Sequence, residues 1–215
     1  MKPSGLAKLA VFASGSGTNL QALLDACATG ALAARVVLVV VNRPQAGALA
    51  RAAAAGVPVF LSPWPAQPNE KDSLDSRIAW ERQLCAAVHQ VEPQLLILAG
   101  WDRVLVGPML DTYAGKIVNL HPALPGAHPG LGAIERARRA FAAGGPSVTG
   151  VMVHRVTKDL DAGPVVAQES LELVVGESLA ELEARVHAVE HRLLVQAVAQ
   201  ELTVLADSTR GALAH

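Results

Sequence analysis

The sequence predicts an α/β fold built on an open, doubly wound, mostly parallel sheet. Three observations carry this. Short apolar runs alternate with helical runs through the first half of the chain. Leu95 to Ala99 and Ile117 to Leu120 are apolar without alternation, which suits strands buried on both faces. The rhythm then changes after Asn119, where prolines and glycines crowd together.

The elements follow in order. Leu9 to Ala13 reads as a buried strand that runs into Ser14-Gly15-Ser16-Gly17-Thr18-Asn19. The helical run Leu20 to Ala28 comes next and stops at Gly30. Val36 to Val41 is a β-branched strand, Ala46 to Ala55 a helix stopped by Gly56, and Val57 to Leu61 a short strand. Ser62 to Pro68 is a proline-rich loop. Leu74 to Val91 is a helix with Leu74, Ile78, Leu84 and Val88 on one face. Pro122, Pro125 and Pro129 mark a long irregular loop, and Ala133 to Ala143 is helical. Val148 to Val156 and Val165 to Leu173 are strands joined by a tight polar segment ending in Gly163-Pro164. Ser178-Leu-Ala-Glu181 is a capping box that opens a long helix to about Leu202, with frayed residues after it. The expected sheet is thus mostly parallel, with an antiparallel C-terminal part and a long C-terminal helix.

Composition sets the bounds. The chain has 215 residues, which suits one domain over 1–215. Its halves divide near residue 115, about 8–115 and 116–203. Hydrophobic residues make up 51% and charged residues 17%, enough for a sizeable core and too apolar for disorder. A net charge of -1 excludes a strong electrostatic footprint for nucleic acid. The apolar runs are strand-sized, so no membrane span is expected. Met1 to Lys8 leads into no signal-peptide pattern, and Cys27 and Cys85 read as free buried thiols in a reducing cytoplasm.

Four motifs could carry chemistry. In Gly15-Ser-Gly17-Thr18-Asn19, glycines between a strand and a helix let backbone N–H groups meet an anion, and the helix N-terminus favours it. A phosphate fits better than a dinucleotide, because Leu20 stands where a third glycine would and no acid follows the next strand. The plain alternative is a tight turn capped by Thr18 or Asn19. Asn119 and His121, two apart at a strand's C-terminal end, point to one side and could serve an oxyanion and a proton. Asp159 and Asp161 lie in a polar turn, where an acid could orient a histidine and raise its pKa. His187-Ala-Val-Glu190-His191 matches a zinc spacing, but too little chain follows for a further ligand, and an ordinary helix face is expected.

Taken together, these segments resemble the folate-dependent glycinamide ribonucleotide formyltransferases. The resemblance runs from Leu9 to about Ala199 and rests on SGSGTNLQALLDA, LILAGWDRVL, IVNLHPALPGAHPG, TGVMVHRVTKDLDAGPVVAQ and ARVHAVEH. It implies a Rossmann-like formyltransferase fold. It implies transfer of the formyl group of 10-formyltetrahydrofolate, as cosubstrate, to the amine of 5-phosphoribosylglycinamide in purine synthesis. By the same resemblance the catalytic trio falls on Asn119, His121 and Asp161. The ribonucleotide falls on Gly17, Thr18, Asn19, His187 and Glu190. Folate contacts fall on Arg77, Asp102, Arg103, Val104, Leu105, Asn119, Thr157, Lys158, Asp159, Leu160 and Asp161. His154 matches a recurrent family histidine near the cleft.

The expected chemistry needs no metal and no covalent enzyme intermediate. A charged His121, its pKa raised by Asp161, stabilises the oxyanion of a tetrahedral centre, and Asn119 donates to the same oxygen. The expected partners are small molecules alone, acting on a monomer or homodimer. The sequence departs from the family pattern at Ala123-Leu124-Pro125-Gly126, where the proline is displaced, and at His128, Gly132, Asp102 and His187. The competing readings are a formyltetrahydrofolate hydrolase, a methionyl-tRNA formyltransferase, an NAD-binding oxidoreductase and a non-catalytic binding module. The SGSGTN loop favours the ribonucleotide enzyme over both other formyltransferase-fold enzymes.

Overall fold

The β-branched and leucine-rich runs form one mixed sheet in a computed structural model that describes residues 5–64 and 73–212. Its strands are β1 (Ala7–Ala13), β2 (Ala34–Val41), β3 (Val59–Leu61), β4 (Leu95–Leu98), β5 (Ile117–His121), β6 (Val148–Arg155) and β7 (Val165–Glu172). They lie in the order β3-β2-β1-β4-β5-β6-β7. Pairing is parallel from β3 through β5 and antiparallel for β5 with β6 and β6 with β7. The helices are α1 (Thr18–Ala28), α2 (Ala48–Ala54), α3 (Leu74–His89), α4 (Pro108–Thr112), α5 (Ala133–Ala142) and α6 (Leu179–Ala212).

The two-residue period of β1 builds two cores at once. Leu9, Val11 and Ala13 face a cluster with Leu20 and Leu23 of α1 and Leu182, Val186 and Leu194 of α6. Ala10 and Phe12 face the opposite side, against Trp80 and Leu84 of α3, Trp101 and Met109. Both faces being covered explains why β4 and the Leu9 to Ala13 part of β1 lack polar residues. The chain moves outward from β1 to β2 and β3, then returns to the other side of β1 as β4. That reversal opens a crevice at the C-terminal ends of β1 and β4, where open sheets place ligands.

Several boundaries differ from the sequence reading. The third strand is three residues long, at the sheet edge. Leu74 is exposed while Leu84 and Val88 are fully buried, so the apolar face of α3 begins later than its spacing suggests. The five-residue α4 was not expected, and Glu81 holds its start by accepting from the amides of Val106, Gly107 and Met109. Helix α6 runs ten residues past Leu202. Just before that extension, Glu201 ties α6 to the end of β6, accepting two hydrogen bonds from Arg155 at 3.0 Å each. Cys27 and Cys85 are free but half-buried, because each sits at the margin of its core. The expected loop over 62–68 lies outside the described residues beyond Trp64. Among the described residues no helix is long and apolar enough to cross a membrane.

Candidate active site

The loop after β1 forms the first wall of the crevice. Gly17 caps α1 with φ 74°, and no side chain bonds the cap. A Cβ there would sit 2.7 Å from the Cα of Ala48, so only glycine lets the loop pass α2. Thr18 begins the helix, which leaves its first N–H groups facing the cleft without intrahelical partners. The capping role open to Thr18 or Asn19 is therefore not used. Asn19 instead turns inward, and its Nδ2 donates to Glu190 of α6 at 2.9 Å. His187 Nδ1 lies 2.8 Å from the same Glu190 oxygen. Glu190 thus joins the anion loop to His187 across two helices.

The second wall is the end of β5. Asn119 and His154 are direct cross-strand partners, so their side chains lie together. Asn119 Nδ2 is 3.2 Å from His154 Nε2 and 3.2 Å from Asp161 Oδ1. His121 Nδ1 stands 3.5 Å from Asp161 Oδ2, and its Nε2 is 3.1 Å from the His128 carbonyl oxygen. Asp161 also accepts the Gly130 amide at 2.7 Å. Asp161 holds φ 50°, a conformation that aspartate tolerates better than most residues. Two residues on, a Cβ on Gly163 would meet the Arg155 carbonyl oxygen at 1.8 Å, so glycine is required to return the chain to β7.

The charges in this cluster oppose one another. Burial holds His121 below the ordinary histidine value. The Asp161 charge and the His128 carbonyl push it upward, but the charges of His154 and Arg136 act with burial. Asp161 does push His121 upward, as expected, but desolvation of a side chain with 6% exposure outweighs a carboxylate at 3.5 Å, so the net direction is downward. Burial would raise Asp161, yet the hydrogen bond with His154, the Gly130 amide and the two histidine charges bring it below the usual carboxylate value. Burial thus works against charge on His121, while Asp161 and the His128 carbonyl, one at each ring nitrogen, work for it.

Asp102 ties the remaining loops together. Its carboxylate accepts from Ser14 Oγ at 2.9 Å, from Asn42 Nδ2 at 2.7 Å and from the Arg43 guanidinium. These residues follow β1 and β2, so one acid joins the C-terminal ends of both strands to the segment after β4. Burial raises Asp102, but the three donors and the Arg43 charge more than offset it and lower its pKa. Residues 102–105 and 157–161 line the same cleft as Gly17, Thr18, Asn19, Asn119, His121, His187 and Glu190. This cavity holds about 370 Å³. Arg77 lies apart from it, in an adjoining cavity of about 100 Å³ with Trp64, Trp80 and Arg103. All the candidate residues except Arg77 thus converge on one cleft.

The sequence model of the formyl transferase family matches residues 7–198. This chain belongs to that family. The phosphoribosylglycinamide formyltransferase of Schizosaccharomyces pombe is 40% identical over 204 residues, covering 92% of this chain and 98% of its own. The Mycobacterium tuberculosis protein of that name is 41% identical over 197 residues, covering 92% and 86%. The crystal structure of glycinamide ribonucleotide transformylase 1 from Geobacillus kaustophilus superposes with a TM-score of 0.79 at 42% identity, over 90% of this chain and 97% of that one. The Symbiobacterium toebii counterpart gives 0.81 at 35% identity, over 92% and 88%.

Some groups in this formyl transferase's cleft escape the sequence reading of residues alone. His154 has no partner nearby in sequence, and only the strand register sets it beside Asn119. The His128 carbonyl and Gly130 amide act through the backbone, where residue identity says nothing. Ser14, Asn42 and Arg43 become site residues only through Asp102.

Proposed function

We propose that this formyl transferase moves the formyl group of 10-formyltetrahydrofolate onto the amine of 5-phosphoribosylglycinamide. The observation that carries the reading is the meeting of two features in one cleft. One is a glycine-capped helix N-terminus suited to a phosphate, and the other is the Asn119, His121 and Asp161 cluster.

The cleft suits both substrates. Gly17, Thr18 and Asn19 would hold the phosphate on backbone N–H groups. Glu190 and His187 would meet the hydroxyls beyond it, with Glu190 already fixed by Asn19. The formyl donor brings a flat heterocycle, and the facing wall offers Val104, Leu105, Val156 and Leu160. Leu131 and Leu160 are exposed at its edge, as apolar contacts awaiting a ligand would be. Arg103 and the segments 102–105 and 157–161 supply the polar contacts, and Arg77 would act from the adjoining cavity on a distal part of that substrate.

The reaction forms a C–N bond from the glycyl amine to the formyl carbon and breaks the bond from that carbon to folate N10. One proton leaves the amine and one arrives at N10. His121 can carry both. Its protonated ring then has two acceptors in place, Asp161 and the His128 carbonyl, and can release a proton to N10. Asn119 Nδ2 donates toward the developing oxyanion. Holding both substrates in one cleft supplies much of the remaining acceleration. Every residue of this step comes from one chain. The free thiols of Cys27 and Cys85 suit a reducing compartment, and the proposal places the enzyme in the cytoplasm.

The test is an assay of the purified chain with 10-formyltetrahydrofolate, with and without 5-phosphoribosylglycinamide. The proposal expects folate product only when the ribonucleotide is present. Equal product without it would replace the transferase by a hydrolase.

A further inference from the structure

Arg136 of α5 reaches back to the turn that precedes its own helix. Its Nη2 lies 2.9 Å from the His128 carbonyl oxygen, 2.6 Å from that of Pro129 and 3.2 Å from that of Gly130. Three successive carbonyls thus converge on one guanidinium nitrogen. Such convergence is repulsive without a cation at its centre. The turn is also conformationally demanding, with His128 at φ 47° and Gly130 at φ 77°. Arg136 Nε is buried with no acceptor among the described residues, so the guanidinium is committed to the turn through its other end.

The same turn touches the reacting cluster twice. The His128 carbonyl faces His121 Nε2 at 3.1 Å, and the Gly130 amide donates to Asp161 at 2.7 Å. The carbonyl that holds His121 is therefore one that Arg136 also holds. The guanidinium's own hydrogen bonds go to this backbone and not to His121 or Asp161.

We propose that Arg136 is a positioning residue, whose guanidinium fixes the 128–130 turn and through it the placing of His121 against Asp161. The proposal rests on the reading that His121 and Asp161 serve formyl transfer. His121 is also faced by Asp161 from the loop after β6, by His154 from β6 and by the Arg136 charge from α5. Arg136 therefore acts on it by geometry and by field together.

The test uses the whole chain and two variants, Arg136→Met and Arg136→Lys. Amide hydrogen exchange of Gly130 is followed by NMR without ligand, with Val118 and Leu96 as core references. The kcat and both KM values are measured beside it. In Arg136→Met, Gly130 should exchange on the order of 10-fold faster while the core amides hold. Its kcat should fall on the order of 10-fold or more, with smaller changes in KM. Arg136→Lys keeps the charge but not the planar fork, and should fall between the two. If the methionine variant does not fold, the lysine variant alone decides, by the same paired change. Unchanged Gly130 exchange overturns the proposal whatever happens to kcat. Faster exchange with unchanged kcat overturns the link to chemistry. A wild-type chain without transferase activity would instead sink the functional reading, while Gly130 exchange still decides what Arg136 holds.

Discussion

Asn19 donates its side-chain amide to Glu190 at 2.9 Å, joining residues 171 positions apart. The bond sets the first turn of α1 against the middle of α6. Glu190 is 4% exposed and receives His187 on the same oxygen. One buried carboxylate thus fixes both the anion loop and His187 beyond it.

Glu190→Gln should therefore act on substrate binding. A hydrogen bond to a charged group contributes about 1.5–3 kcal/mol, so the ribonucleotide KM should rise on the order of 10-fold or more. The kcat should change less, because Glu190 bonds Asn19 and His187 and not Asn119 or His121. Steady-state kinetics at saturating formyl donor checks this. An unchanged KM would remove Glu190 from the binding site.

His187 gives a pH signature. Its hydrogen bond to Glu190 raises it above the ordinary histidine value, against burial and with help from the Glu190 and Glu183 charges. A raised folded value means stability that is fully present below about pH 6.5, the unfolded value, and lost as pH rises through the folded one. Wild type should thus exceed His187→Gln in Tm at pH 6, and the gap should close by pH 9. His121 works in the opposite sense: its folded value is lowered, so its contribution fades as pH falls below about 6.5. A Tm gap for His187→Gln that widens with rising pH would contradict the pair.

Asp102→Asn should loosen the crevice where three strand ends meet. The side chain is 12% exposed, so its charge-assisted bonds count, and a loss of about 1–3 kcal/mol at neutral pH is expected by urea unfolding. Its folded pKa is lowered, so the wild-type advantage is present above about pH 3.9 and should shrink as pH falls through the folded value. Equal stability at pH 7 would show that Ser14, Asn42 and Arg43 find other partners.

The sequence carried the sheet because its strands are apolar on both faces and its helices stop at glycines. Gly30 and Gly56 both take positive φ after their helices, as their placement suggests. Asn119 and His121 were legible because two residues on one strand must share a side. Partners set by register or by backbone were not. His154 reaches Asn119 through antiparallel pairing, and the His128 carbonyl reaches His121 through a turn. The burial that opposes Asp161 at His121 was not legible, because a sequence shows the neighbouring acid but not the desolvation.

The central claim is that His121 moves the proton that transfer requires. The most direct measurement is the single-turnover rate of formyl transfer with both substrates saturating, in wild type and in His121→Ala. Both proteins should first show equal melting and equal substrate binding. The account predicts a fall on the order of 100-fold or more in the variant. A rate within about twofold of wild type would contradict it, and would move the proton to another group of the same cluster.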